Sequence, residues 1–117
     1  MSDVFVDRMA ALRQRFADQL AARIDGIETA MLPVGDDGLE VLVQAHRDAH
    51  HLCGVGATLG FVETGKVARS IEQILLAALK TPRALSDDEV PRVRAGIALL
   101  RSTASSELEA VQGEVCR

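Results

Sequence analysis

Apolar residues recur every three or four positions through four segments of the sequence, and this periodicity constrains the fold more than any other feature. Such spacing places side chains along one stripe of an α-helix, whereas a strand with one buried face requires strict alternation. Clusters of Gly, Pro and acidic residues, which are typical of turns, separate the segments. The sequence therefore predicts amphipathic helices that pack their apolar stripes against one another.

The first segment runs from about Val4 to Met31 and contains Gly26. A helix of this length would measure about 40 Å, so a break near Gly26 or a separate short N-terminal helix is an alternative to one continuous helix. The next helices are predicted from about Leu39 to Gly60 and from Phe61 to Leu79. A Ser86–Glu89 capping box then starts the fourth, with Pro91 loosening that end or setting its true start. The residues predicted to face the core are Met9, Leu12, Phe16, Leu20, Ile24, Ile27 and Met31 in the first helix; Leu42, Ala45, Ala49, Leu52, Gly56 and Leu59 in the second; Val67, Ile71, Ile74 and Ala78 in the third; and Val93, Ile97, Leu100, Ala104, Leu108 and Val111 in the fourth.

Length and composition fit one small domain. The chain has 117 residues, of which 48% are apolar, with three Phe and no Trp or Tyr, so the core must be aliphatic. We expect residues 1–117 to form a single all-α domain, an antiparallel up-down four-helix bundle.

Charge and composition also exclude several classes of function. The formal net charge is −4, which argues against nucleic acid as a partner. No stretch approaches the roughly 20 apolar residues that a membrane span needs, and the N-terminus lacks the pattern of a signal peptide. We therefore expect a cytoplasmic protein in which Cys53 and Cys116 are free thiols.

His46, His50 and Cys53 recur at spacings of four and three on the second helix and form a polar stripe beside the core stripe. Taken singly, each histidine fits a solvated or core-edge position. Together with Glu72 on the next helix, the stripe has the residue types of a metal site, so a metal-binding bundle is one alternative. One stripe of one helix rarely supplies tetrahedral geometry, and a metal site leaves Gly54 and Gly60 unexplained. We therefore predict no metal ligands.

The sequence from Ala49 to Phe61, AHHLCGVGATLGF, resembles the signature of histidine-containing phosphotransfer (HPt) domains, and most closely that of chemotaxis histidine kinases. In that signature the phospho-accepting His precedes an apolar residue two positions on, Lys three on, Gly four on, and an apolar–Gly pair nine and ten on. Leu52, Gly54 and the pair Leu59–Gly60 match if His50 is the acceptor, whereas counting from His51 loses all four matches. His51 is then expected to point to solvent.

The resemblance implies roles for residues around His50. Glu72 matches the family's Glu or Gln that accepts a hydrogen bond from the acceptor imidazole, and Gly54 leaves room for the phosphoryl group. Cys53 replaces the family's usual Lys, whose ammonium faces phosphate. The candidates to supply the missing charge are Arg47, Lys66 and Arg69; Val55 and Ala57 are candidate apolar contacts for a partner.

The function that the resemblance implies is phosphorelay. His50 accepts a phosphoryl group and exchanges it with an Asp of a response-regulator receiver domain, with a histidine kinase or hybrid kinase as the other partner. The chain is then a phosphocarrier, not an enzyme by itself, and holds no cofactor, since the receiver brings the Mg²⁺. We expect a monomer, and the start at Met1 favours a free-standing protein. A non-phosphorylated regulatory bundle of the same fold is the other alternative, motivated by Cys53.

Overall fold

The structure, a computed structural model, describes residues 2–29, 31, 38–81, 83 and 85–115. Within these residues it contains four helices and no strand: α1 (Ser2–Thr29), α2 (Gly38–Thr58), α3 (Val62–Lys80) and α4 (Glu89–Val115). Each helix packs against its two neighbours around a ring, with α4 closing the ring against α1, and the α2–α3 seam is the most extensive. The predicted all-α four-helix bundle is confirmed. None of these helices, over the described residues, is both long and apolar enough to cross a membrane.

Contacts along the α1–α2 seam show that these two helices are antiparallel. There, Arg13 in the first half of α1 donates to the carbonyl of Leu59 just past the end of α2. Farther along the same seam, Arg23 reaches Asp48 at 3.3 Å. On the α1–α4 seam, the side chain of Arg101 pairs with Asp25 at 2.7 Å.

The predicted core stripes are largely those observed. The positions predicted for the second helix are all buried, including Leu59 just past the end of α2, and in α4 Val93, Ile97, Leu100 and Ala104 are buried while Leu108 is partly so. The side chain of Val111 lies outside the described residues. In α3 the predicted Val67 and Ile74 lie at the edge of the core, because the arc that packs between α2 and α4 is shifted by one residue. The fully buried side chains of α3 are Thr64, Ala68, Ile71, Leu75 and Ala78.

For α1, one alternative left open by the sequence is not observed, and one expected core position is wrong. The helix is continuous through Gly26, and no separate short helix precedes it over residues 2–29. A Cβ at Gly26 would lie 2.5 Å from Oδ2 of Asp48, so the glycine makes room for a carboxylate of α2. Leu12 is 44% exposed although it was predicted to face the core. Arg13 contacts the residue just past the end of α2. The turns of α1 that precede Arg13 therefore extend beyond α2 and pack little against it.

The start of α4 forms the predicted capping box. The backbone N–H of Glu89 donates to Oγ of Ser86 at 3.2 Å, and the N–H of Ser86 donates to Oε1 of Glu89 at 2.9 Å. Arg83 also pairs with this carboxylate at 2.6 Å. The hydrogen bond from Arg83, followed by the one from the Ser86 backbone, lowers the pKa of Glu89 to about 2. α4 begins at Glu89, two residues before Pro91, so Pro91 does not mark its start. The N–H that Pro91 lacks would face the carbonyl of Asp87, which precedes the helix.

The start of α3 is capped from another helix. Phe61 precedes α3 and provides no side-chain cap. Glu107 of α4 takes that role: its carboxylate accepts the Thr64 N–H at 2.5 Å, the Thr64 hydroxyl at 2.6 Å and the Glu63 N–H at 3.0 Å. Orphan donors at a helix start need such acceptors, so α4 fixes the end of α3 that follows the α2–α3 connection.

Candidate functional site

His50 lies on the outer surface of α2, with 70% of its side chain exposed. Its Nδ1 is 3.0 Å from Oε1 of Glu72, which projects from α3 across the seam. Glu72 is far less accessible, with 17% of its side chain exposed. The pairing that the resemblance implied between His50 and Glu72 is therefore present as a contact between an exposed ring and a mostly buried carboxylate.

This contact determines which nitrogen of His50 holds the proton. An ionised carboxylate accepts hydrogen bonds and cannot donate one, so the Nδ1 that faces Glu72 must hold the ring proton in the neutral form. Nε2 then has a free lone pair, and with the ring largely exposed this nitrogen is available to an electrophile outside the helix. The site thus contains an oriented nucleophile beside a negative charge.

Two glycines shape the seam on which His50 and Glu72 lie. A Cβ at Gly54 would meet nothing within 4 Å, so the surface one turn after His50 is open. A Cβ at Gly65 would lie 3.3 Å from the carbonyl oxygen of Cys53, so α3 approaches the α2 backbone closely there. Gly65 was not singled out from the sequence, because its partner is known only once α2 and α3 are paired.

Cys53 lies at the edge of the core rather than on the open surface. It is a free thiol, partly buried and packed against the apolar cluster. A thiol holds no positive charge, so Cys53 cannot neutralise a phosphate at His50 as the family's usual Lys does. The other cysteine, Cys116, lies outside the described residues.

The three candidate cations differ in their surroundings. Lys66 is exposed and pairs with Glu63 at 3.2 Å, one turn away on the same helix. Arg47, one turn before His50, and Arg69, one turn before Glu72, are also exposed. They lie on α2 and α3 respectively, so positive charge flanks the His50–Glu72 pair from both helices.

The two candidate apolar contacts for a partner differ in their exposure. Ala57 is exposed two turns beyond His50, whereas Val55 is partly buried against the core. Ala57 is therefore accessible to a partner on the His50 face, and the side chain of Val55 is largely taken up by packing within the bundle.

His51 was expected to point to solvent, but the structure places its ring against α1. Its ring is partly buried and stacks on Phe16 of α1, with centroids 6.2 Å apart and planes inclined by 22°. Burial lowers the pKa of His51, the nearby Arg23 lowers it further, and Asp48 opposes the shift. Neighbouring histidines thus face different seams, and the ring of His51 belongs to α1–α2 packing.

Asp48 was missed by sequence reasoning. It is only 7% exposed, and its Oδ1 lies 3.3 Å from Nη1 of Arg23 and 3.5 Å from Nε2 of Gln44. An acidic residue on a helix is usually solvated, so only the pairing of α1 with α2 identifies this one as buried.

His46 is brought to the site as well. Its Nε2 lies 3.9 Å from Oε1 of Glu72, and its ring is nearly parallel to that of His50. In the part of the chain that the structure describes, no group of three or more His, Cys, Asp or Glu side chains is arranged to hold a metal ion. The described residues therefore give the metal-binding alternative no set of three ligands.

Comparison with known proteins identifies the family. A family model described as Hpt domain matches residues 11–103, which include all of α2 and α3 and most of α1 and α4. Neither the curated proteins nor the solved structures yield a match. The chain therefore belongs to the Hpt domain family, whose members transfer phosphoryl groups through a histidine in two-component signalling.

Proposed function

We propose that His50 is the phospho-accepting histidine of this chain and that it exchanges a phosphoryl group with an Asp of a receiver domain. The observation that supports this most directly is the hydrogen bond between Nδ1 of His50 and Oε1 of Glu72, 3.0 Å long, on a ring that is otherwise 70% exposed. The other two histidines are less accessible, since His46 and His51 are both partly buried.

The transfer step follows from this geometry. The lone pair on Nε2 of His50 attacks the phosphorus of an aspartyl phosphate, the N–P bond forms, and the P–O bond breaks with its electron pair going to the Asp carboxylate. The ring keeps its proton on Nδ1 and becomes an imidazolium, whose charge the Glu72 carboxylate offsets. Onward transfer to a second receiver reverses these bond changes. Hpt domains are phosphocarriers, and we propose that the receiver supplies the Mg²⁺ while this chain binds no cofactor.

The receiver is expected to dock on the α2–α3 face around His50. Gly54 and Ala57 keep the surface low beside the ring, and Arg47 and Arg69 place positive charge around it. An aspartyl phosphate is negatively charged, so this positive charge favours the encounter. Because Hpt domains bind histidine kinases and response regulators in turn, we expect a small, transient interface of less than about 1,200 Å².

Phosphotransfer with matched variants tests the assignment. A radiolabelled phospho-receiver is mixed with the native chain, with His50→Gln and with His51→Gln. We expect label on the native chain and on His51→Gln, and none on His50→Gln. Equal labelling of the native chain and His50→Gln would sink the assignment and place the acceptor elsewhere, whereas no label on either would favour the non-phosphorylated alternative, which Cys53 motivates because it replaces the family's usual Lys.

We also propose that residues 1–117 act as one monomeric, cytoplasmic domain. The support is that the described apolar side chains form one cluster shared by all four helices, and that Cys53 is a free thiol. Light scattering during gel filtration tests the monomer: a mass near 12.5 kDa is expected, and twice that mass would contradict it.

A further inference from the structure

His46 lies one turn before His50 on α2, and both imidazoles face the same carboxylate. Nε2 of His46 is 3.9 Å from Oε1 of Glu72, the oxygen that pairs with His50. The two rings lie 6.0 Å apart between centroids and are inclined by only 14°. Glu72 is therefore approached by two imidazoles, of which the proposed phosphotransfer step uses one.

Two polar atoms at this place are buried and unpaired. Among the described residues, Nε2 of His46 and Oε2 of Glu72 both lack a hydrogen-bond partner, although each is shielded from water. Burying a polar atom without a partner is costly, and most such atoms in folded proteins have one. The gap between His46 and the carboxylate is less than 1 Å longer than a hydrogen bond, so a small rotation of either side chain pairs them.

We infer that His46 is a positioning residue for phosphotransfer: in its neutral form it donates Nε2–H to the Glu72 carboxylate and holds that carboxylate toward Nδ1 of His50. This rests on the proposed function of His50. Glu72 comes from α3 on a flexible side chain, so a second donor on α2 restricts where its oxygens lie. No proton leaves His46 in the step, and no bond forms to it.

The neutral form of His46 is the one that suits this role. When the phosphoryl group joins Nε2 of His50, positive charge grows on a ring 6.0 Å from that of His46. A cationic His46 would oppose that charge, whereas a neutral donor orients Glu72 without adding to it. Among the described residues, Glu72 is the one acidic group that lies within 4.0 Å of His46.

The test uses the full chain and three variants at His46. His46→Gln keeps an N–H donor, whereas His46→Phe and His46→Met are apolar and lack one. Nitrogen-15 NMR of the imidazoles is recorded at pH 8, where free histidine is neutral. We expect His50 to hold its proton on Nδ1 in the native chain and in His46→Gln, and to shift toward the Nε2–H tautomer in both apolar variants.

Phosphotransfer rates give a second readout. We expect the rate constant for phosphorylation of His50 to fall by about tenfold in the apolar variants, as the loss of one hydrogen bond to a charged group implies. His46→Gln should stay within about threefold of the native rate, by the same reasoning. Receiver affinity should not change, since His46 is partly buried beneath the docking face.

Two results would overturn the inference. One is that an apolar variant, His46→Phe or His46→Met, keeps the native circular dichroism spectrum and also keeps the native tautomer of His50 and the native rate of phosphotransfer. The other is an equal loss in His46→Gln and the apolar variants, since glutamine keeps the donor. Either result leaves the role of His50 intact as long as His50→Gln fails to accept label, so the two proposals fail separately.

Discussion

Replacing Gly54 with Ala should stabilise the protein and slow phosphotransfer, two effects of opposite sign from one methyl group. Gly54 lies inside α2, where glycine is less favourable than alanine because the unfolded chain is more flexible there. A Cβ at this position meets nothing within 4 Å, so the methyl group fits without displacing a neighbour. We expect the free energy of unfolding to rise by about 0.5–1 kcal/mol.

The loss in transfer comes from the partner. The open surface at Gly54 lies one turn after His50, where the receiver must bring its aspartate to Nε2. A methyl group at a packed contact typically costs about 1–3 kcal/mol, which corresponds to a rate reduction of about five- to 150-fold. Gly54→Leu, which is also favourable in a helix, should reduce the rate further without unfolding the chain.

Gly65→Ala provides the matched control. Its Cβ would press on the carbonyl oxygen of Cys53 at 3.3 Å, so we expect stability and transfer to fall together. Urea denaturation followed by circular dichroism measures stability, and single-turnover transfer from a phospho-receiver measures the rate. Native transfer by Gly54→Ala and Gly54→Leu would refute the docking surface proposed here. A destabilised Gly54→Ala would instead refute the reasoning about the fold.

Three further predictions concern the caps of α3 and α4 and the seam beside His50. Glu107→Ala leaves the donors of Thr64 without an acceptor and should lower the free energy of unfolding by about 2–4 kcal/mol. Urea titration measures this loss. The control is Glu109→Ala, an exposed position on the same helix, which should change the free energy of unfolding by less than about 0.5 kcal/mol. The pKa of Glu89 in the folded chain is lowered to about 2, so its contribution to stability is present above its ordinary pKa of 4.5 and is lost as the pH falls toward 2. Glu89→Gln should therefore be less stable than the native chain at pH 7 but not at pH 2. A difference in melting temperature that persists at pH 2 would contradict this. Cys53→Lys should keep the helical spectrum, since a lysine stem can extend from the seam to solvent, and should raise or redirect phosphotransfer; an unchanged rate toward every receiver tried would remove the idea that the missing charge matters.

The helices and most of the core follow from the sequence because helical periodicity is a local property. The proposed acceptor follows from the register of the family pattern, in which Leu52, Gly54 and Leu59–Gly60 all agree on His50, and its proposed partner Glu72 follows from the same resemblance. The same periodicity misplaced the buried face of α3 by one residue. Apolar residues spaced by three and four do not specify the centre of the buried face when other apolar residues lie on both sides of it.

What the sequence did not reveal depends on which helices become neighbours. Gly26 suggested a break in α1, yet the helix continues because the carboxylate of Asp48 occupies the space that a side chain would take. His51 looked solvated until Phe16 of α1 was placed beside it. His46 had the spacing of a metal ligand, and only the position of Glu72 shows that it faces a carboxylate. Each of these contacts joins residues that are distant in the sequence.

The connection between α2 and α3 sets the alignment of the site. Leu59, Gly60 and Phe61 join the helices, with Gly60 in the left-handed region at a φ of 96° and the Phe61 N–H bonded to the carbonyl of Gly56 at 2.8 Å. One residue inserted so that it lengthens the start of α3 would turn the rest of that helix by about 100° and shift it by about 1.5 Å, which carries Glu72 away from His50. We therefore expect insertions at this end of α3 to disrupt the His50–Glu72 contact, whereas the longer connection between α3 and α4 lies outside the path that joins the two residues.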